Sequence, residues 1–173
     1  MLIRAFITHK EAEYFTDCQD RFSINPDTKS IALSDGMSQS IFQKYWAEIL
    51  VNKYTSDPNW YPDLNSVRNL SPLWKEKVKD YIDKQKAEGK NPWRLERNLS
   101  DGLSAGATFL GIRFDGDKWQ CQILGDSCFV KIHDNQIEDI FSSQDASSFN
   151  NYPDYYDSNP QKDGKGDLFT ERG

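Results

Sequence analysis

Apolar residues recur along this chain at two spacings, and the switch between them marks out its elements. Leu2 to Thr8 carries Leu, Ile, Phe and Ile at near-alternate positions, which predicts a strand with one buried face. Asp20 to Ile24, with Phe22 and Ile24 on one face, and Lys29 to Leu33 predict two more strands. The turn residues Asn25-Pro26-Asp27 join them into a hairpin that ends at Ser34-Asp35-Gly36. From Gln39 the spacing becomes three and four: Ile41, Phe42, Tyr45, Trp46, Ile49 and Leu50 predict a helix with Ser38 or Ser40 as its N-cap.

Residues 55–69 are polar and hold Pro58 and Pro62, so they predict a surface loop. Ser71 before Pro72 has the pattern of an N-cap and first turn. Leu73, Trp74, Val78, Tyr81 and Ile82 continue as an amphipathic helix ending near Gly89. A third helix is predicted from Pro92 to about Ser104. Strand spacing then returns at Thr108 to Phe114, turns at Asp115-Gly116-Asp117, and resumes over Trp119 to Leu124. Gly125-Asp126-Ser127 reads as a second turn into Cys128 to His133, giving a three-stranded meander, with a short fourth strand near Gln136 to Phe141. Trp46 and Trp74 are assigned to the core. Beyond Ser142 the chain is rich in Ser, Asn, Asp, Pro and Gly, so it divides into a core over 1–141 and a polar loop or disordered tail over 142–173.

Composition narrows the function classes. At 173 residues the chain supports one domain. The 21 Lys and Arg against 27 Asp and Glu, a net charge of −6, argue against nucleic-acid binding. No stretch approaches the roughly 20 apolar residues of a membrane span, and the N-terminus lacks the apolar segment of a secretory signal, so no membrane partner and a cytoplasmic location are expected. Cys18, Cys121 and Cys128 are odd in number and predicted to be free thiols. With only His9 and His133 available, no zinc pattern is complete.

The best candidate for chemistry is Asp35-Gly36, which follows the apolar run Ile31-Ala32-Leu33 and precedes a helix. A carboxylate at a strand end is held by the sheet while its oxygens face a cleft, and glycine allows a carbonyl to approach a hard divalent cation. Asp20 opens the preceding strand, and a tight hairpin is expected to set Asp20 and Asp35 at opposite ends unless the strands are staggered or separated by a third. Asp-Gly is also a common turn dipeptide, so the residues alone leave a plain turn open. Ser34, Ser38 and Ser40 have no histidine at readable spacing. Gly102-Leu103-Ser104-Ala105-Gly106 follows a helix where a nucleophile elbow needs a strand. Cys18 has no activating partner, and His9 and His133 read as surface residues.

Four segments in order carry a resemblance: Cys18-Gln19-Asp20-Arg21-Phe22, Ile31-Ala32-Leu33-Ser34-Asp35-Gly36, Gly106-Ala107-Thr108-Phe109-Leu110-Gly111 and Gly125-Asp126-Ser127. The series resembles the motif order of the type 2C (PPM) metal-dependent serine/threonine phosphatases, over the first two-thirds of that family's length. The resemblance implies an α+β fold of antiparallel β-sheets flanked by helices, an incomplete α-β-β-α sandwich. It further implies a Mn²⁺ or Mg²⁺ pair bridged by Asp35 and ligated by the Gly36 carbonyl, with Asp20 acting on a metal-bound water. A hydroxide so formed would hydrolyse phosphoserine or phosphothreonine in a phosphoprotein substrate. The sequence departs from the family at Met37-Ser38-Gln39, where His-Gly-Gly is usual, and at Gln19, where glutamate is commoner. Lys10 and Arg21 are loose counterparts of its phosphate-gripping arginine. Asp154, Asp157, Asp163 and Asp167 do not match the contexts of the family's late metal-binding aspartates. The alternative is a catalytically inactive phosphatase-like module that binds a protein partner through an acidic surface and an exposed sheet edge.

Overall fold

The computed structural model describes residues 4–8, 14, 18–144 and 153–173. Leu2, Ile3, His9 and Lys10 lie outside them. The described part of the first predicted strand, residues 4–8, is not in a strand.

Strands β1 (Arg21–Asn25) and β2 (Ser30–Ser34) form the predicted hairpin, and β4 (Phe109–Asp115) and β5 (Lys118–Leu124) form a second. Asp115-Gly116 is the turn of the latter, with Gly116 at φ 61°, the left-handed region that glycine enters without steric cost. A five-stranded antiparallel sheet results, in the order β1-β2-β4-β5-β9, where β9 is Phe169–Arg172. Gly106–Ala107 (β3) pairs with Tyr156–Asp157 (β8), and Cys128–His133 (β6) pairs with Gln136–Ser142 (β7) in a separate ribbon.

Helices α1 (Gln43–Ser56), α2 (Leu64–Arg68), α3 (Ser71–Ala87) and α4 (Trp93–Ser100) supply the core on one face of the sheet. Trp46 and Trp74 are buried there as expected, with Ala32, Phe109 and Leu124 of the sheet beneath them. Strand alternation sends Leu110, Ile112, Cys121 and Ile123 to the far face, where Phe129 and Phe141 of the ribbon pack with Trp119 and Phe169. The hairpin turn is tied to the end of α1, because the Thr55 carbonyl accepts from Asn25 Nδ2 at 3.0 Å and Thr28 Oγ1 at 2.7 Å. A carbonyl left over at a helix C-terminus is thereby satisfied.

Several expectations are corrected. Helix α1 starts at Gln43 after Phe42 at φ 52°, so neither Ser38 nor Ser40 caps it. Leu70 rather than Ser71 is the N-cap of α3, and Pro72 lies in its first turn. The 55–69 segment contains α2, capped by Asp63, whose side chain accepts from Ser66 N at 2.9 Å. The meander stops after two strands: Gly125 at φ 106° turns the chain out of the sheet, so Gly125-Asp126-Ser127 is not a hairpin turn and, among the described residues, β6 pairs with β7 alone. The 142–173 segment is not uniformly loop or disordered, since β9 pairs along β5 from Ile123↔Phe169 to Gln120↔Arg172 and covers that sheet edge. Among the described residues no helix is long and apolar enough to cross a membrane.

Candidate active site

Asp20 and Asp35 are neighbours. In the antiparallel register Arg21 faces Ser34, so the next residues outward, Asp20 and Asp35, stand side by side at the open end of the hairpin. The expectation of opposite ends fails because an antiparallel hairpin always returns the end of its second strand to the start of its first. Both acids are half-buried, and both line one cleft of about 400 Å³.

Asp35 is held by the segment that separates β3 from β4. Its backbone N–H donates to Thr108 Oγ1 at 3.1 Å, its carbonyl accepts from Thr108 N at 2.9 Å, and Ser34 Oγ donates to the Thr108 carbonyl at 2.6 Å. One residue on, Met37 N donates to the Gly106 carbonyl at 3.0 Å, closing a bridge between Gly36 and Ala107. Neither bond of that bridge uses the Gly36 carbonyl. Glycine is required at 36 by packing: a Cβ there would meet Gln43 Cγ at 2.8 Å.

The cleft is closed by Phe22, Leu33, residues 6–8 and, from the turn that leaves the sheet, Asp126 and Ser127. Asp126 is thus a third carboxylate lining the cleft, which its reading as part of a turn left unassigned. Its signal was the strand-ending Gly-Asp-Ser itself. Arg21 also lines the cleft, with Nη1 donating to the carbonyls of Cys18 at 3.0 Å and Asp20 at 2.6 Å, so its guanidinium ties down the strand that presents Asp20. These oxygen donors match a hard divalent cation in type. In placement they are loose: among the described residues, no three His, Cys, Asp or Glu side chains draw together closely enough to hold a metal.

The remaining candidates lie elsewhere. Ser40 Oγ donates to the Met37 carbonyl, and Ser104 follows α4 and accepts from Lys162 Nζ at 3.0 Å. His133 is exposed at the far end of the ribbon. Cys18 is buried with its thiol toward the Thr8 carbonyl at 3.7 Å, Cys121 is buried with its thiol pKa pushed up by that burial, and all three cysteines are free. Asp154 pairs with Lys165 at 3.4 Å, Asp163 pairs with Arg68, and Asp157 accepts from Asn159 N at 2.7 Å.

No protein-family model matches the sequence, and no curated protein matches it. Solved structures do. The chain is similar to the catalytic domain of the serine/threonine protein phosphatase PstP in complex with two manganese ions, at 11% identity over 93% of this chain and 68% of that one, with a TM-score of 0.50. It also matches a bacterial serine phosphatase at 17% identity, 90% and 68% coverage and a TM-score of 0.46. A third match is the serine/threonine phosphatase Stp1 from Staphylococcus aureus, at 15% identity, 96% and 76% coverage and a TM-score of 0.43. With helices over an antiparallel sheet and the PstP likeness spanning nearly all of it, the chain has a divergent form of the PPM-type serine/threonine phosphatase fold.

Proposed function

We propose that this chain is a phosphoprotein phosphatase-like domain that binds Mn²⁺ or Mg²⁺ at Asp35 and Asp20 and hydrolyses phosphoserine or phosphothreonine. The observation that carries the reading is the pairing of Asp20 with Asp35 at the rim of one cleft, on the fold of a manganese-bound phosphatase. Asp35 would hold the ion with the Gly36 carbonyl as a second donor, and Asp126 lines the same cleft. A divalent cation held there would supply a lowered pKa for a coordinated water and offset charge on the phosphoryl oxygens. Asp20, beside Asp35 in the cleft, would orient the attacking water and take its proton on the carboxylate. Because the acids do not form a closed cage, binding is expected to be weaker than at a site that surrounds the ion with oxygen ligands.

The test is hydrolysis of para-nitrophenyl phosphate with and without Mn²⁺. The proposal predicts manganese-dependent turnover that disappears in Asp35→Asn at unchanged thermal stability. Turnover that is independent of both metal and Asp35 would contradict it. One observation favours the second reading, a catalytically silent module: a stripe of Val130, Ile132, Ile137 and Ile140 that is 40–64% exposed on the outer face of the β6–β7 ribbon. Such a module shows no turnover at any metal concentration and retains a protein partner through that stripe.

A further inference from the structure

Thr108 is 1% exposed and lies between β3 and β4, outside any helix or regular strand pairing. Its polar atoms all serve the Asp35 strand end. The hydroxyl accepts from Asp35 N at 3.1 Å, the N–H donates to Asp35 O at 2.9 Å, and the carbonyl accepts from Ser34 Oγ at 2.6 Å. Its methyl faces the other wall: Cγ2 and Cβ lie 2.7 and 2.8 Å from where a Cβ on Gly125 would stand. A glycine at 125 therefore lets the loop carrying Asp126 rest directly on Thr108, and Ser143 Oγ holds that loop from behind by accepting from Gly125 N at 3.1 Å and donating to Gly125 O at 2.7 Å. One buried side chain thus touches both backbones that deliver carboxylates to the cleft.

We infer that Thr108 is a positioning residue that sets the separation of Asp35 and Asp126 across the cleft, its hydroxyl fixing the first and its methyl fixing the second. The inference rests on the metal-binding reading of that cleft. The two roles are separable by substitution. Thr108→Val keeps the methyl contact with Gly125 and removes the acceptor for Asp35 N, while Thr108→Ser keeps the acceptor and removes the methyl. Groups that support a metal ligand without touching the metal change affinity by roughly 10–100-fold when removed.

The experiment measures two quantities on the full chain: hydrogen exchange of the Asp35 amide without metal, and Mn²⁺ binding from the loss of the free-ion electron paramagnetic resonance signal. The expected result is an Asp35 amide that exchanges at least about tenfold faster in Thr108→Val, with Mn²⁺ affinity about tenfold weaker, whereas Thr108→Ser keeps the wild-type exchange rate at Asp35 and loses Mn²⁺ affinity by about tenfold through the freed Asp126 loop. Should Thr108→Val fail to fold, Ser34→Ala removes only the bond to the Thr108 carbonyl and is expected to shift both readouts in the same direction. Wild-type binding of Mn²⁺ together with an unaltered Thr108→Val, or a Thr108→Ser that either exchanges its Asp35 amide as fast as Thr108→Val or binds Mn²⁺ as the wild type does, overturns the positioning role alone. No Mn²⁺ binding by the wild type overturns the phosphatase reading from which it starts.

Discussion

Tyr54 lies at the junction of helix and sheet. Its hydroxyl donates to Gln122 Oε1 at 2.6 Å, the Arg113 guanidinium stacks 3.9 Å from its ring centroid, and a Cβ on Gly111 would meet the ring at 2.6 Å. Gly111→Ala is therefore overpacked and is expected to cost about 1–3 kcal/mol, read as a lower urea midpoint. Burial pushes the Tyr54 phenol above its ordinary 10.0, with Arg113 opposing, and the Tyr156 phenol is raised in the same way. A folded-state value above the unfolded one means that these groups contribute fully below pH 10 and lose that contribution as pH climbs past it. The melting temperature should fall above pH 10, and less steeply in Tyr54→Phe. A variant whose alkaline decline matches wild type would contradict this. At this scale the sequence was informative about bulk and silent about contact. The helical spacing of Trp46 and Trp74 announced burial, whereas Gly111 carries no local sign that a ring fifty-seven residues earlier in the chain occupies its side-chain space.

Elements were legible where their signal is local. The β1–β2 and β4–β5 hairpins follow from alternation and turn residues, and α3 from its apolar stripe. What escaped depended on partners distant in sequence. The ribbon of β6 and β7 has ordinary strand patterning, and only the positive φ of Gly125 separates it from the sheet. β9 is four residues with no alternation to announce it, and it is a strand because β5 offers an edge. Deleting residues 168–173 is expected to cost less than the roughly 1.5–3 kcal/mol of a fully buried ring from the partly buried Phe169, and to expose the β5 edge to aggregation. Light scattering and urea unfolding would show this, and an unchanged midpoint would mean that β9 does not dock. For the N-cap of α2, Asp63→Ala should cost about 1 kcal/mol in the same assay, because the Ser66 amide loses its acceptor.

At the scale of the molecule, the fold matters because it turns two ordinary motifs into one cleft. The hairpin alone sets Asp20 beside Asp35; the excursion at Gly125 adds Asp126, and β3 with Thr108 locks the strand end between them. The order of motifs along the chain carried the phosphatase resemblance, and the antiparallel register brings the two acids to one cleft. The most direct measurement is an anomalous difference map from crystals soaked in MnCl₂. The account predicts a manganese peak in the cleft bounded by Asp20, Asp35 and Asp126, with Asp35 among its ligands and the peak lost in Asp35→Asn. Asp20 and Asp35 facing away from each other, or manganese bound only elsewhere on the molecule, would contradict it.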